Sequence, residues 1–436
     1  MTVDARLEKL VAALPAVLFI ASVGTFVQSY LFIKLACLAL FLIGSAVVRV
    51  RQNDIEIYPR IAWFFLVLCG VGILAAIVGY SNGNSTVAVA EGLRLRVAWS
   101  LAFIIIFTLI RSDNSIGSFH SALVLAGILI SVINIIGVVD AASLRLIPST
   151  VRKELEMFVG FHDGYTQITS NNIGTLFLIA PYLVSLQFRA DAAGVRSGWT
   201  NVALVLCLVV AAMSGRRGLW VVLTLTPILV LGLSILTRSV GSLRPVARRL
   251  LVAYTLAAVI GGGLFAFTSI GLGPVGELGA VARFRSAFSS QDIRAIQRRY
   301  LLDAFMASPW VGSGFGGYAG YLRNAERPWS YELTYHQMLF NIGIVGTTAL
   351  VLVFGVYLIR VVRLLTAFRT ESAIPFCLLI GLVGLCMGAY SNPYLGSFDY
   401  LFFVGLLPYL STFGRGFGPS SAPAPAAGTF TTRMDF

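Results

Sequence analysis

Polar positions along this chain are sparse and clustered. Between them apolar residues run on continuously, with neither the alternation of a half-buried strand nor the single stripe of a soluble amphipathic helix. Such runs recur near 10–27, 30–48, 61–80, 97–110, 119–139, 171–188, 200–213, 218–236, 250–271, 336–360, 375–391 and 400–413. Crossing a hydrocarbon layer about 30 Å thick takes about 20 such residues in a helix. Lipid offers the backbone no hydrogen-bond partner, so continuous runs mean helices, whereas a membrane barrel would show segments of alternating hydrophobicity. The pattern predicts an all-α polytopic membrane protein of about 12 transmembrane helices, with a large outward loop, 272–335, between helices 9 and 10. The runs 97–110 and 200–213 are short for the task, and no internal repeat is visible.

Composition agrees with this reading. Of 436 residues, 57% are hydrophobic and 12% charged, and mean hydropathy is +0.85, whereas soluble chains carry about 25% charged residues. Arg6 and Lys9 precede the first run, which no convincing cleavage site follows, so it is expected to be a retained helix. The five cysteines all lie in apolar runs and read as buried thiols. From residue 414 onward the chain, with Pro419-Ser-Ser-Ala-Pro-Ala-Pro, has too little apolar content to fold. That gives a membrane domain over 1–413 and a disordered cytoplasmic tail over 414–436.

The net charge of +13 does not point to nucleic acid, because the basic residues fall in alternate short loops. Arg49, Arg51 and Arg60, then Arg111, Arg189 and Arg196, then Arg238, Arg244, Arg248 and Arg249, and finally Arg360, Arg363 and Arg369 mark the inner side. Both termini are thereby placed in the cytoplasm. Two outward segments depart from this economy. One is 140–170, with Arg145, Arg152, Lys153, His162 and Asp163; the other is 272–335, with seven arginines against five acidic residues. An anion bound on the outward side would account for such cations.

Three constellations could carry chemistry. Ser214-Gly-Arg216-Arg217-Gly218 sets two guanidinium groups at the outward boundary, able to grip a lipid phosphate or diphosphate bidentately. A tight hairpin whose arginines reach up to lipid headgroups is the alternative. The segment from Ile293 to Gly317 opens as an amphipathic helix lying on the membrane, with apolar positions 293, 296, 300, 301, 304 and 305 and with Arg294, Arg298 and Gln291 off that stripe. Ser308-Pro309 ends it. The glycine run 312–317 lacks the lysine and the preceding strand of a phosphate loop and is expected to be a flexible turn. Glu332 and His336 stand four apart before a span, on one helical face, where a carboxylate can orient an imidazole for general-base work; a polar cap on the helix is the other possibility. His120 and His162 are isolated. Three scattered histidines and no Asp-x-Asp pair give no support to a metal site.

These stretches together resemble the O-antigen ligase and O-antigen polymerase superfamily of bacterial inner-membrane glycosyltransferases. Asn171 to Pro181 looks like the family's asparagine-led helix start, and Ser214 to Gly218 like its arginine before a span. Arg298 to Gly316 followed by Glu332 to Gly346 looks like its order of arginine, aromatic, proline, Gly-x-Gly, then a polar residue ahead of Gly-x-x-Gly. Ligases usually show histidine then asparagine where Glu332 stands here, which leans the resemblance toward repeat-unit polymerases. It implies an undecaprenyl-diphosphate-linked oligosaccharide as substrate, a periplasmic active site and no cofactor. A chain-length regulator and a flippase of the same pathway are the implied partners. Glu332 or His336 would be the base, and Arg216, Arg217, Arg294, Arg298 and Arg299 would hold the diphosphate. The alternatives are a ligase that passes the glycan to lipid A-core, and a multi-pass transporter or flippase.

Overall fold

The computed structural model describes residues 3–52, 58–110, 115–140, 147–162, 165–189, 197–214, 216–237, 293–367, 373–390 and 392–412, with isolated positions at 195 and between 248 and 259. The first half is built from α1 (Val3–Thr25), α2 (Leu31–Gln52), α3 (Pro59–Ser81), α4 (Thr86–Leu93), α5 (Trp99–Ile110) and α6 (Ser115–Val139). A short helix, α7 (Ser149–Glu154), precedes an antiparallel hairpin of β1 (Phe158–His162) and β2 (Tyr165–Thr169), in register from Phe158 opposite Thr169 to His162 opposite Tyr165. A tight turn over Asn171–Thr175 then leads into α8 (Leu176–Phe188), α9 (Gly198–Met213) and α10 (Arg217–Leu236). After them come α11 (Ile293–Ala307), α12 (Thr334–Ala367), α13 (Ala373–Gly388), α14 (Phe398–Val404) and α15 (Leu406–Leu410).

Five of these helical stretches are long and apolar enough to cross a membrane, namely Pro59–Ser81, Thr86–Ile110, Ile116–Val139, Gly218–Leu236 and Thr334–Ala367; Ala13–Thr25, Leu31–Val47, Gly198–Met213, Ala373–Gly388 and Phe398–Leu410 are shorter apolar helices. The fold is therefore a helical assembly of membrane type. Two expectations need correcting. The run expected at 97–110 starts at Thr86, because α4 continues into α5 through a π-helical turn, Arg94–Ala98; Glu91, Arg94 and Arg96 lower the hydropathy there without breaking the backbone. The hairpin at 158–169 is an exception to an all-α fold. Apart from isolated positions the run 250–271 lies outside the described residues, as do 272–292 and 413–436.

At the centre stands α8, buried on every side from Leu176 to Gln187. Glycine makes this possible, since in lipid small residues let helix backbones approach closely. A Cβ on Gly381 of α13 would lie 2.6 Å from the Leu178 carbonyl oxygen, and one on Gly384 would lie 2.5 Å from that of Phe177. On the outside Trp63, Ile73, Ile77, Ile235, Val351, Leu352 and Ile359 are exposed, as lipid-facing side chains are.

The ends of α3 define the two ends of the assembly, about 34 Å apart for 23 residues. At one end Arg60 donates to the Ser411 carbonyl at 3.4 Å and Tyr357 of α12 reaches the Arg60 carbonyl. At the other, Asn84 donates to the carbonyls of Ser313 and Phe315, both at 2.9 Å. There α12 is broken at Gly343, whose backbone angles (φ 62°, ψ −168°) belong to glycine alone. The strand of chain after α11 fills the break. Ser313 and Gly314 donate to the Phe340 and Asn341 carbonyls, and Ile344 and Val345 donate to those of Pro309 and Trp310. The Phe315 amide bonds the Ala75 carbonyl of α3 at 3.0 Å. The glycine run 312–317 is thus seated by backbone hydrogen bonds rather than left as a flexible turn.

Candidate functional site

Several of the polar side chains singled out in the sequence gather at the α3 end where that glycine run is seated. Arg216 caps α10 and is half-buried. Its Nη1 donates to the Tyr394 hydroxyl at 2.8 Å and its Nη2 approaches the Ser170 carbonyl at 3.4 Å, while its buried Nε has no acceptor among the described residues. Arg217 opens α10, and its side chain lies outside the described residues. Tyr394 sits in the tight turn Tyr394–Gly396 between α13 and α14. Burial pushes its phenol up, and the charges of Arg216 and Arg294 oppose that rise. Arg216 thus acts on this hydroxyl by a hydrogen bond and Arg294 through its charge.

Arg294 also donates from Nε to Glu332 Oε2 at 3.0 Å, and Arg323 meets Glu332 Oε1 at 3.1 Å. The segment before α12 is held in place by Gln297 of α11, whose buried Oε1 accepts from the amides of Glu332 and Leu333 at 3.0 and 3.2 Å. Tyr331 below it is fully buried, and its hydroxyl accepts from the Ala319 amide at 2.7 Å, closing the loop 319–331 on itself.

The expected Glu332–His336 pairing is corrected by where the helix begins. Because α12 starts at Thr334, Glu332 precedes it, and its carboxylate turns to Arg294 and Arg323 instead of sharing a helical face with the imidazole. His336 packs edge-on to the Tyr390 ring, with centroids 6.2 Å apart, and its buried Nδ1 has no partner among the described residues. The charge of Arg298 is felt at that ring. Arg299 does not join the group. It is 84% exposed and its nearest acid is Asp303, one turn along at 3.8 Å. On α11 the buried face is Gln297 and Leu301, whereas Ile296 and Tyr300 of the expected stripe are exposed.

The structure therefore brings Arg216, Arg294, Arg298, Glu332 and His336 toward one region and adds Arg323, Tyr390 and Tyr394, which the sequence did not single out. With Arg294 and Arg323 on one carboxylate, Arg216 at Tyr394 and the charge of Arg298 acting on His336, the region carries excess positive charge, as an anion site does. The signal for Tyr394 was present as Asn392-Pro-Tyr394, a polar interruption between the last two apolar runs. His120 lies elsewhere, with Nδ1 2.6 Å from the Tyr182 hydroxyl. Among the described residues no three His, Cys, Asp or Glu side chains gather as a metal-ligand set. Comparison with protein-family models finds no match, and no curated protein matches the chain.

Proposed function

We propose that this protein is a membrane glycosyltransferase that polymerises undecaprenyl-diphosphate-linked oligosaccharide repeat units on the periplasmic face of the bacterial inner membrane, with both termini cytoplasmic and about twelve spans. The observation that carries the reading is the pairing of Arg294 and Arg323 with a single carboxylate, Glu332, in a helical membrane assembly where Arg216 is bound to the Tyr394 hydroxyl and the charge of Arg298 acts on His336. Such a cation excess suits a diphosphate, and the carboxylate and imidazole beside it suit proton removal.

In the reaction proposed, an acceptor sugar hydroxyl loses its proton to Glu332 or His336 and its oxygen bonds to the anomeric carbon of the donor. The bond from that carbon to the diphosphate oxygen breaks, and lipid diphosphate leaves with the electron pair. The arginines oppose the charge gathering on the leaving oxygens, and losing one such fixed donor typically costs about 2.7–4 kcal/mol of barrier. Both Glu332 oxygens are engaged by guanidinium groups, so an anion competing for Arg294 and Arg323 would free the carboxylate to accept a proton. Purified protein incubated with lipid-linked repeat units alone is expected to give a ladder of longer chains. A product formed only after lipid A-core is added would replace polymerase by ligase, and no product in either case would remove the glycosyltransferase reading.

One observation favours a second reading, that of a transporter. Lys34 and Asp399 form an ion pair at 2.8 Å in the interior, 3% and 0% exposed, and ionisable residues inside membrane helices often mark transport paths. Movement of labelled lipid-linked glycan across proteoliposomes without chain extension would establish it.

A further inference from the structure

Tyr394 is held more elaborately than packing alone requires. Its ring lies 5.4 Å from Phe177 and 4.8 Å from Tyr400, and both tyrosines press on Gly174, where even a Cβ would collide with them. Phenylalanine would fill this slot equally well, so the ring accounts for the site's shape but not for the hydroxyl. That hydroxyl accepts from Arg216 Nη1 at 2.8 Å, which leaves its own hydrogen with no acceptor among the described residues.

The surroundings are rich in donors and poor in acceptors. Asn134 donates to Asn172 Oδ1 at 3.0 Å, and Ser170 Oγ lies 2.8 Å from Asn134 Oδ1 and 2.6 Å from Asn172 Oδ1. The Asn171 carbonyl takes the Tyr400 hydroxyl at 3.1 Å, and the Ser170 carbonyl faces Arg216. Each of these acceptors already has a donor, while the buried Nδ2 groups of Asn171 and Asn172 and the Nε of Arg216 are left without partners among the described residues. Asn172 is itself fully buried. Orphaned buried donors are costly, so a ligand that fits must bring oxygen lone pairs and no hydrogens. An ionised phosphate does this; a sugar hydroxyl brings a competing donor.

We infer that the Tyr394 hydroxyl is a direct hydrogen-bond donor to a phosphate oxygen of the ligand held by Arg216, acting beside the arginine as well as orienting it. This rests on the diphosphate reading above.

The test measures equilibrium binding of undecaprenyl diphosphate, with undecaprenol as the phosphate-free control, to the full-length protein in detergent. The variants are Tyr394→Phe, Arg216→Gln, the two combined, and Tyr394→O-methyltyrosine, which keeps the oxygen for Arg216 but removes the hydrogen. Tyr394→Phe and the O-methyl variant are expected to bind the diphosphate about tenfold more weakly, the size of a lost hydrogen bond to a charged group, with undecaprenol binding unchanged. Tyr394→Phe is also expected to weaken binding further in the Arg216→Gln background. Wild-type affinity in the O-methyl variant, or no further loss in the double variant, would reduce Tyr394 to a support for Arg216 and overturn the inference. If Arg216→Gln also binds diphosphate as wild type does, the anion site itself falls, and the proposed function with it. Undecaprenol binding and a single symmetric elution peak show for each variant that the fold is intact.

Discussion

The Glu332 carboxylate lies between Arg294 and Arg323 and is itself 28% exposed, with the two arginines 45% and 37% exposed. Pairs this open to water contribute about 0–1 kcal/mol to stability, so their weight falls on where charge is placed. Glu332→Gln keeps the side-chain shape and its hydrogen-bonding oxygen but cannot take a proton. If Glu332 is the base, chain extension slows on the order of 10²–10⁴-fold with little change in melting temperature. The same loss in His336→Gln, with Glu332→Gln near wild type, would assign the base to the imidazole, whose Nδ1 has no partner among the described residues. Arg299→Ala is the contrasting case. Its guanidinium is 84% exposed and, among the described residues, pairs with Asp303 one turn away at 3.8 Å, so extension rates are expected to stay within about twofold of wild type, the scale of a surface change of roughly 0.5 kcal/mol. A loss in Arg299→Ala as large as in Arg298→Ala would mean that α11 turns a different face to the substrate.

At the scale of elements, the break in α12 and the chain that fills it form one unit. Gly343 holds a positive φ of 62°, and a Cβ there would strike the Trp310 carbonyl. Gly343→Ala therefore cannot keep the local backbone, and strain of about 1–3 kcal/mol is expected to unseat residues 309–315. Faster proteolysis within 309–330, with reduced extension, is the measurement; a digestion pattern identical to wild type would show that the break tolerates a side chain. Most elements were legible in the sequence, because lipid forces long apolar runs into helices and runs such as 61–80 and 119–139 leave no other choice. The first turns of Thr86–Ile110 were not, since Glu91, Arg94 and Arg96 look like a loop to any hydropathy measure, yet remain helical by way of a π turn. The seating of 312–317 was illegible for another reason: glycine signals freedom locally, and it is carbonyls of α3 and the broken α12, with the Asn84 amide, distant in sequence, that fix it. In the candidate site Arg216, Arg294, Arg298, Glu332 and His336 stood out as charge in an apolar chain. Tyr394 did not, because a tyrosine near a membrane boundary resembles many others that anchor at the interface.

Across the whole molecule a buried ion pair joins the first helical hairpin to the last helices. Lys34 of α2 and Asp399 of α14 are 365 positions apart in sequence and meet at 2.8 Å, both nearly inaccessible. Asp399 also accepts the Gln28 amide at 3.0 Å, and the Lys34 ammonium lies 4.5 Å from the centre of the Phe398 ring, which Trp99 stacks against at 4.6 Å. Asp399 opens the helix that follows the Tyr394 turn, so the pair tethers the chain that positions Arg216. The energetic meaning of a buried pair is asymmetric. Removing one partner strands a charge in a dry interior and costs about 3–5 kcal/mol, whereas replacing both by apolar residues is often neutral or stabilising. Lys34→Met is therefore expected to lower the melting temperature sharply in detergent, and Lys34→Met with Asp399→Leu to recover most of it. If the pair serves only to hold the fold, the double variant regains chain extension along with stability. Stability restored without extension would show that the charges themselves take part in function, the outcome expected of the transport reading, and would move attention from the Arg216 end of the molecule to its interior.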